Sequence, residues 1–131
     1  MISRDDIESY LIRTELDFEE LEEGIWMVRP TTEEEVAPEH SVVVSYSPPL
    51  VLLRAGIRES PSSEASQVRL FRRLLELNAN DLVHGSYGLE DGEVVLSDTL
   101  ELENLDFSEF RASLESLSLA LTSHLQELTE D

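Results

Sequence analysis

The sequence predicts an α+β fold, an antiparallel sheet packed with three helices in the order α-β-β-β-β-α-β-β-α. Three observations carry that prediction. Three segments have helical periodicity with start signals, and β-branched or apolar runs lie between them. Glu23-Gly24, Pro48-Pro49 and Asp91-Gly92 then join those runs in consecutive pairs, as hairpins require.

The first helix starts at Ser3, an N-cap with Asp6 three residues on as its capping-box partner. Ile2 and Ile7 occupy the staple positions, and Ile7, Tyr10 and Leu11 form a short apolar stripe. Strands follow at 16–22 and 25–29, on either side of Glu23-Gly24. Residues 30–39 carry two prolines, two threonines and the run Glu33-Glu34-Glu35, an exposed loop. Val42 to Tyr46 and Leu50 to Ile57 are the next two strands, and Pro48-Pro49 separates them. Pro61-Ser62-Ser63 breaks the chain before a second helix that runs to about Asn78. Leu82 to Glu90 and Glu93 to Leu102 form the last hairpin around Asp91-Gly92. In the final helix Asp106 caps, Glu109 closes the box, and Leu105 with Phe110 forms the staple. Its stripe is Phe110, Leu114, Leu117, Leu121 and Leu128, over roughly six turns. At 131 residues, with no internal repeat, the chain reads as one domain spanning 1–131.

The two halves of the sheet differ. In the last strand Val94, Leu96, Leu100 and Leu102 share one face, and the other is polar apart from Val95. The earlier strands are apolar on both faces. Val51, Leu53, Ala55 and Ile57 oppose Leu50 and Leu52; Val42 and Val44 oppose Val43; Trp26 and Val28 oppose Ile25 and Met27. Something must cover the second face, since a monomer rarely exposes a contiguous apolar patch above a few hundred Å². The chain's own loop or helices, a second subunit and a bound partner are the three covers to distinguish. Helix two makes the same point. Val68, Phe71 and Leu75 suit a core face, and Leu70, Leu74 and Leu77 widen the stripe toward a dimer interface, with Arg69, Arg72 and Arg73 at the exposed edge.

Charge narrows the function classes. Twenty-nine acidic residues face nine basic ones, all arginine, for a formal net charge of −20. That balance repels phosphate backbones and lacks the basic stripe that anionic lipid needs, so neither nucleic acid nor a membrane is the expected partner. No apolar run approaches the roughly 18 residues of a transmembrane span, and the N-terminus lacks signal-peptide regions. With no cysteine there is no disulfide framework, and the cytoplasm is the expected compartment.

Catalytic patterns are missing. His84-Gly85-Ser86-Tyr87-Gly88 resembles a nucleophile elbow, but a glycine adjoins the serine and a hairpin follows where that motif demands a helix. Gly85 and Gly88 are expected instead to allow a bend or a close backbone approach. His40, His84 and His124 lack metal-ligand spacing; His124, near the end of the last helix, is expected to be structural, bonded to helix carbonyls. No catalytic residue, metal ligand or cofactor is assigned.

The stretch Leu74 to Leu96, with Pro48 to Arg54 upstream and Leu100 to Leu128 downstream, resembles the YbjN family. More distantly, Leu75-x-Leu77-Asn78, the Gly85-x-x-Gly88-Leu89 strand, the Asp91-Gly92 turn and the long last helix resemble type III secretion chaperones. The resemblance implies a small acidic chaperone-like domain, commonly a homodimer, with no catalytic residue to carry over. Secretion chaperones hold a partner's unfolded segment across apolar patches on the sheet.

The function expected is therefore non-enzymatic protein binding. Trp26, Val28, Val43, Leu50 and Leu52 are the expected partner contacts, with Trp26 as anchor, and Leu70, Leu74 and Leu77 the expected dimer interface. A small-molecule-sensing domain and an acidic nucleic-acid mimic that binds a basic protein are the alternatives.

Overall fold

The computed structural model describes residues 1–30 and 37–130. In chain order the elements are α1 (Arg4–Thr14), β1 (Phe18–Glu22), β2 (Ile25–Val28), β3 (Val42–Ser47), β4 (Leu50–Glu59), α2 (Glu64–Asn80), β5 (Ser86–Glu90), β6 (Glu93–Glu101) and α3 (Phe107–Thr129). The expected order of three helices and six strands is present. A 3-10 turn at Pro38–His40 leads into β3. The loop expected at 30–39 falls largely outside the described residues. Among these, no helix is long and apolar enough to cross a membrane.

Local signals explain the helix starts. Ser3 Oγ accepts from the Asp6 N–H at 3.2 Å while the Ser3 N–H donates to Asp6 Oδ2 at 2.8 Å, so the expected box is complete. Asp106 Oδ1 accepts from the Glu109 N–H at 2.8 Å, but among the described residues no bond returns from Glu109. Ser63 caps α2 through the Ser66 N–H.

The six strands form a single sheet ordered β1-β2-β3-β4-β6-β5, with every neighbouring pair antiparallel. The cis Pro48–Pro49 bond lies in the β3–β4 turn. β5 begins at Ser86, four residues later than expected. The Ser116 hydroxyl accepts from the His84 N–H and donates to the His84 carbonyl, which ties this segment to α3 instead of β6. Gly85 then turns at φ +79, so close to the Ser97 carbonyl that an added Cβ would lie 2.9 Å from it. Gly88 differs: no atom lies within 4 Å of where its Cβ would be, so the close approach expected there is absent.

All three helices contribute to a core against one face of the sheet. Trp26, Val28, Val44, Val51, Leu53 and Leu96 are buried there with Ile7, Leu77, Phe110 and Leu117. Asp98, on the same face of β6, accepts a bond from Ser113 of α3 at 2.7 Å. At the β5 edge, Asn78 of α2 donates through Nδ2 to the Tyr87 carbonyl and accepts the Tyr87 N–H on Oδ1, at 3.1 and 2.7 Å.

The face of α2 is the main correction. Leu74 is 6% exposed and Leu77 is fully buried, while Leu70 packs half-buried against the core. Val68 and Leu75, expected inside, are 60% and 68% exposed. At 3.6 residues per turn, 70-74-77 is one stripe and 68-75 another, roughly 150° round the cylinder. Both have helical spacing, so periodicity alone left the side open. Leu70, Leu74 and Leu77 are thus core residues of this chain, not an outward dimer face.

Candidate functional site

The face of the sheet away from the helices holds the candidate site. Strand alternation puts Ile25, Met27, Val43, Leu50 and Leu52 there, because their neighbours Trp26, Val28, Val44, Val51 and Leu53 point into the core. Register assembles them into rows. Met27 pairs with Val43, which pairs with Arg54; Ile25 pairs with Ser45, which pairs with Leu52. Ile25, Met27, Val43 and Leu50 are half-buried, and Leu52 is 36% exposed. The core residues of α1, α2 and α3 pack on the opposite face.

Toward β5 the same face turns polar. Arg54 Nη2 donates to Glu90 Oε1 at 3.2 Å and to Glu93 Oε1 at 3.1 Å. Val95, the one apolar side chain of β6 on this face, lies between Gly56 and Gly88, its cross-strand partners. The Glu93 carboxylate stands 3.2 Å from where a Gly56 Cβ would be, so the ion cluster reaches across Val95, which is 4% exposed. The Val95 expected to be wet is therefore covered. Beyond it Ser97, Thr99 and Glu101 present only polar groups.

The five expected contacts divide. Val43, Leu50 and Leu52 lie together on the open face; Trp26 and Val28 do not. Trp26 pairs with Val44 and shares its inward direction, and the Arg4 guanidinium stacks 5.4 Å from the indole centroid. Wholly buried among the helices, Trp26 and Val28 offer nothing to a partner, which corrects the anchor role expected of Trp26. The residues missed on β2 are Ile25 and Met27. The signal for them was the strand alternation itself, once the register against β3 was known.

A second feature joins α2, β5 and α3. The Tyr87 hydroxyl and His124 Nδ1 share a hydrogen bond at 2.9 Å, and His124 Nε2 lies 3.2 Å from Asp81 Oδ2. Burial pushes the Tyr87 hydroxyl up from its ordinary range, with the nearby carboxylates of Asp81 and Glu127 adding to the effect. His124 was expected to bond helix carbonyls and instead joins these two side chains. Asp81 and His124 also line a cleft of about 500 Å³, together with Val83, His84 and Leu119. Of the two serines that line it, Ser116 and Ser123, Ser116 has its hydroxyl committed to the His84 backbone. The arrangement fastens three elements. One turn further along, at the C-terminus of α3, Arg58 donates to the Leu128 and Glu130 carbonyls and Arg73 to Glu127, holding the helix terminus.

The family model CesT_Tir_1, of type III secretion chaperones, matches residues 2–130. No curated protein matches the chain in sequence. Among solved structures, a chain of the heterodimeric ExoU–SpcU complex from the type III secretion system of Pseudomonas aeruginosa is similar at 15% identity and a TM-score of 0.66. The match covers 94% of this chain and 98% of that one. YbjN of E. coli, described as a putative transcription regulator, is similar at 14% identity and a TM-score of 0.65, over 95% and 92%. A chain of the HopA1–SchA chaperone–effector complex is similar at 16% identity and a TM-score of 0.53, over 93% and 98%. At these identities the likeness is one of fold.

Proposed function

The chain belongs to the CesT_Tir_1 family, and from that premise we propose that it is a non-enzymatic, chaperone-like protein that holds an apolar segment of another protein on its open sheet face. One observation carries the proposal: Ile25, Met27, Val43, Leu50 and Leu52 form an apolar patch on the face opposite the one where α1, α2 and α3 pack. A patch of a few hundred Å² at about 25 cal/mol per Å² yields on the order of 5–10 kcal/mol of gross driving force. Ordering an unfolded segment consumes part of that, which leaves affinities on the micromolar scale within reach. The neighbours that are chaperone–effector or heterodimeric complexes support a protein as the occupant. The cytoplasm is the compartment proposed, in keeping with a chain that has no cysteine.

A homodimer is proposed from the outward side of α2. Val68 and Leu75 lie seven residues apart on one exposed stripe. Two antiparallel copies would set Val68 of each against Leu75 of the other, a self-complementary contact. This leaves the sheet face free for the partner.

Selection of 16-residue peptides from a displayed library against the full chain tests the open face. Enriched peptides are expected to lose at least tenfold in affinity for Leu52→Asp and little for Leu75→Glu. Failure to enrich any peptide, or equal binding to Leu52→Asp, would remove the proposal.

A further inference from the structure

Resting on that reading of the open face, we infer that the segment it takes is cationic at both ends and apolar between them. The apolar rows on β2, β3 and β4 are bordered by carboxylates on both sides. On β1, Glu19 stands opposite Met27 and Glu22 opposite Ile25. Across the patch, Glu101 of β6 stands opposite Leu50. Glu59, Glu90 and Glu93 continue that border toward the β5 end. Against these six carboxylates this face offers Arg54, which both Glu90 and Glu93 already bond, and Arg29, one residue past β2 on the side of Met27.

Self-repulsion along such a rim is relieved by a partner that brings positive charge, and an acidic segment would add to it. The border also sets a spacing. From Glu22 across β2, β3 and β4 to Glu101, four strand separations of roughly 4.8 Å and two residues along β6, is about 20 Å. An extended segment that crosses the strands rises about 3.3 Å per residue, so its two cations stand about six residues apart with apolar side chains between. The partner chemistry is thus a basic–apolar–basic stretch of an unfolded protein. Rim charges of this kind set selectivity and association rate, while the apolar rows hold the segment.

The test uses the full chain and three labelled peptides with one alternating leucine–serine centre and Lys, Gln or Glu at both ends, six residues apart, read by fluorescence anisotropy. The Lys peptide is expected to bind about tenfold tighter than the Glu peptide in 50 mM salt, with Gln between. That gap is expected to close near 1 M salt, where the screening length falls to about 3 Å. A Glu19→Gln, Glu101→Gln double variant is expected to narrow it in low salt. Equal binding of the Lys and Glu peptides, both weakened by Leu52→Asp, would overturn the charge inference and leave the open-face reading standing. A Lys preference that survives the double variant would assign it to overall net charge and equally overturn the rim. Binding of none of the three would overturn both.

Discussion

Leu74 and Leu75 are adjacent in sequence and opposite in the fold, and a pair of substitutions turns that into a measurement. Leu74 is 6% exposed and packs in the core; Leu75 is 68% exposed. In Leu74→Glu the helix loses a buried leucine, about 1.5–3 kcal/mol of transfer free energy. It must also either bury a carboxylate, at several kcal/mol, or hold it protonated. The total is on the order of 5 kcal/mol, against about 5–15 kcal/mol for the stability of an ordinary domain. Leu74→Glu is therefore expected to unfold or nearly unfold the chain, not to yield the folded monomer that a dimer-facing Leu74 would imply. Leu75→Glu keeps a good helix former on a wet face, one turn after Arg72, and is expected within about 0.5 kcal/mol of wild type. Urea denaturation followed by far-ultraviolet circular dichroism, at a concentration low enough to hold monomers, reads both. A Leu74→Glu chain within about 1 kcal/mol of wild type, or a Leu75→Glu chain equally destabilised, would refute the placement of α2. Light scattering on the same samples tests the dimer separately. Leu75→Glu should be a monomer where wild type is a dimer, and a monomeric wild type at tens of micromolar would end the dimer proposal without touching the helix register.

Gly85→Ala is expected to cost about 2–5 kcal/mol, from the positive φ and from a methyl group forced to 2.7 Å from Leu117 Cδ2 and 2.9 Å from the Ser97 carbonyl. Gly92→Ala, at φ +82 with open space around it, serves as control and should lose only the conformational share, about 1–2 kcal/mol. Equal losses in urea titrations of the two would show that the Gly85 approach is unimportant. The pH dependence has two limbs. Hydrogen bonds from Ser3, Arg4 and Arg73 hold Asp6, Glu20 and Glu127 below their ordinary values, so their contribution is present above about pH 4.5 and lost as pH falls below it. Tyr87 is raised above its ordinary 10.0, so above pH 10 the unfolded chain has released a proton that the folded one keeps, and stability falls as pH rises. Tyr87→Phe should flatten that alkaline limb in melting curves taken between pH 8 and 11, and an unchanged slope would contradict the burial of the hydroxyl.

Where a local signal decides structure, the sequence was sufficient. Ser3 and Asp6 close their box on a few atoms, and Asp91-Gly92 sets a hairpin through backbone geometry alone. The two-sided apolar character of β2 to β4 was legible for a similar reason, since alternation follows from the pleat. What stayed hidden depends on long-range pairing. Trp26 and Met27 are both apolar, and only the register against Val44 and Val43 tells which faces the helices. On α2 two apolar stripes compete, and the choice is made by β5, whose Tyr87 is bound by Asn78 of the same helix. The late start of β5 rests on a serine thirty-two residues away in sequence, Ser116, which takes up both polar groups of the His84 backbone.

The paired hydrogen bonds between Asn78 and Tyr87 have a consequence for how the molecule behaves in a crowd. A sheet with one greasy side invites its copies to join edge to edge and grow into fibres. At the β5 border a carboxamide already takes up the N–H and C=O of Tyr87, so a second molecule finds that part of the seam occupied. The opposite border, β1, carries Glu19, Glu20 and Glu22, and two such borders brought together repel. Both borders thus carry an obstacle to polymerisation, which lets the sheet keep an apolar side without that side becoming the start of an aggregate.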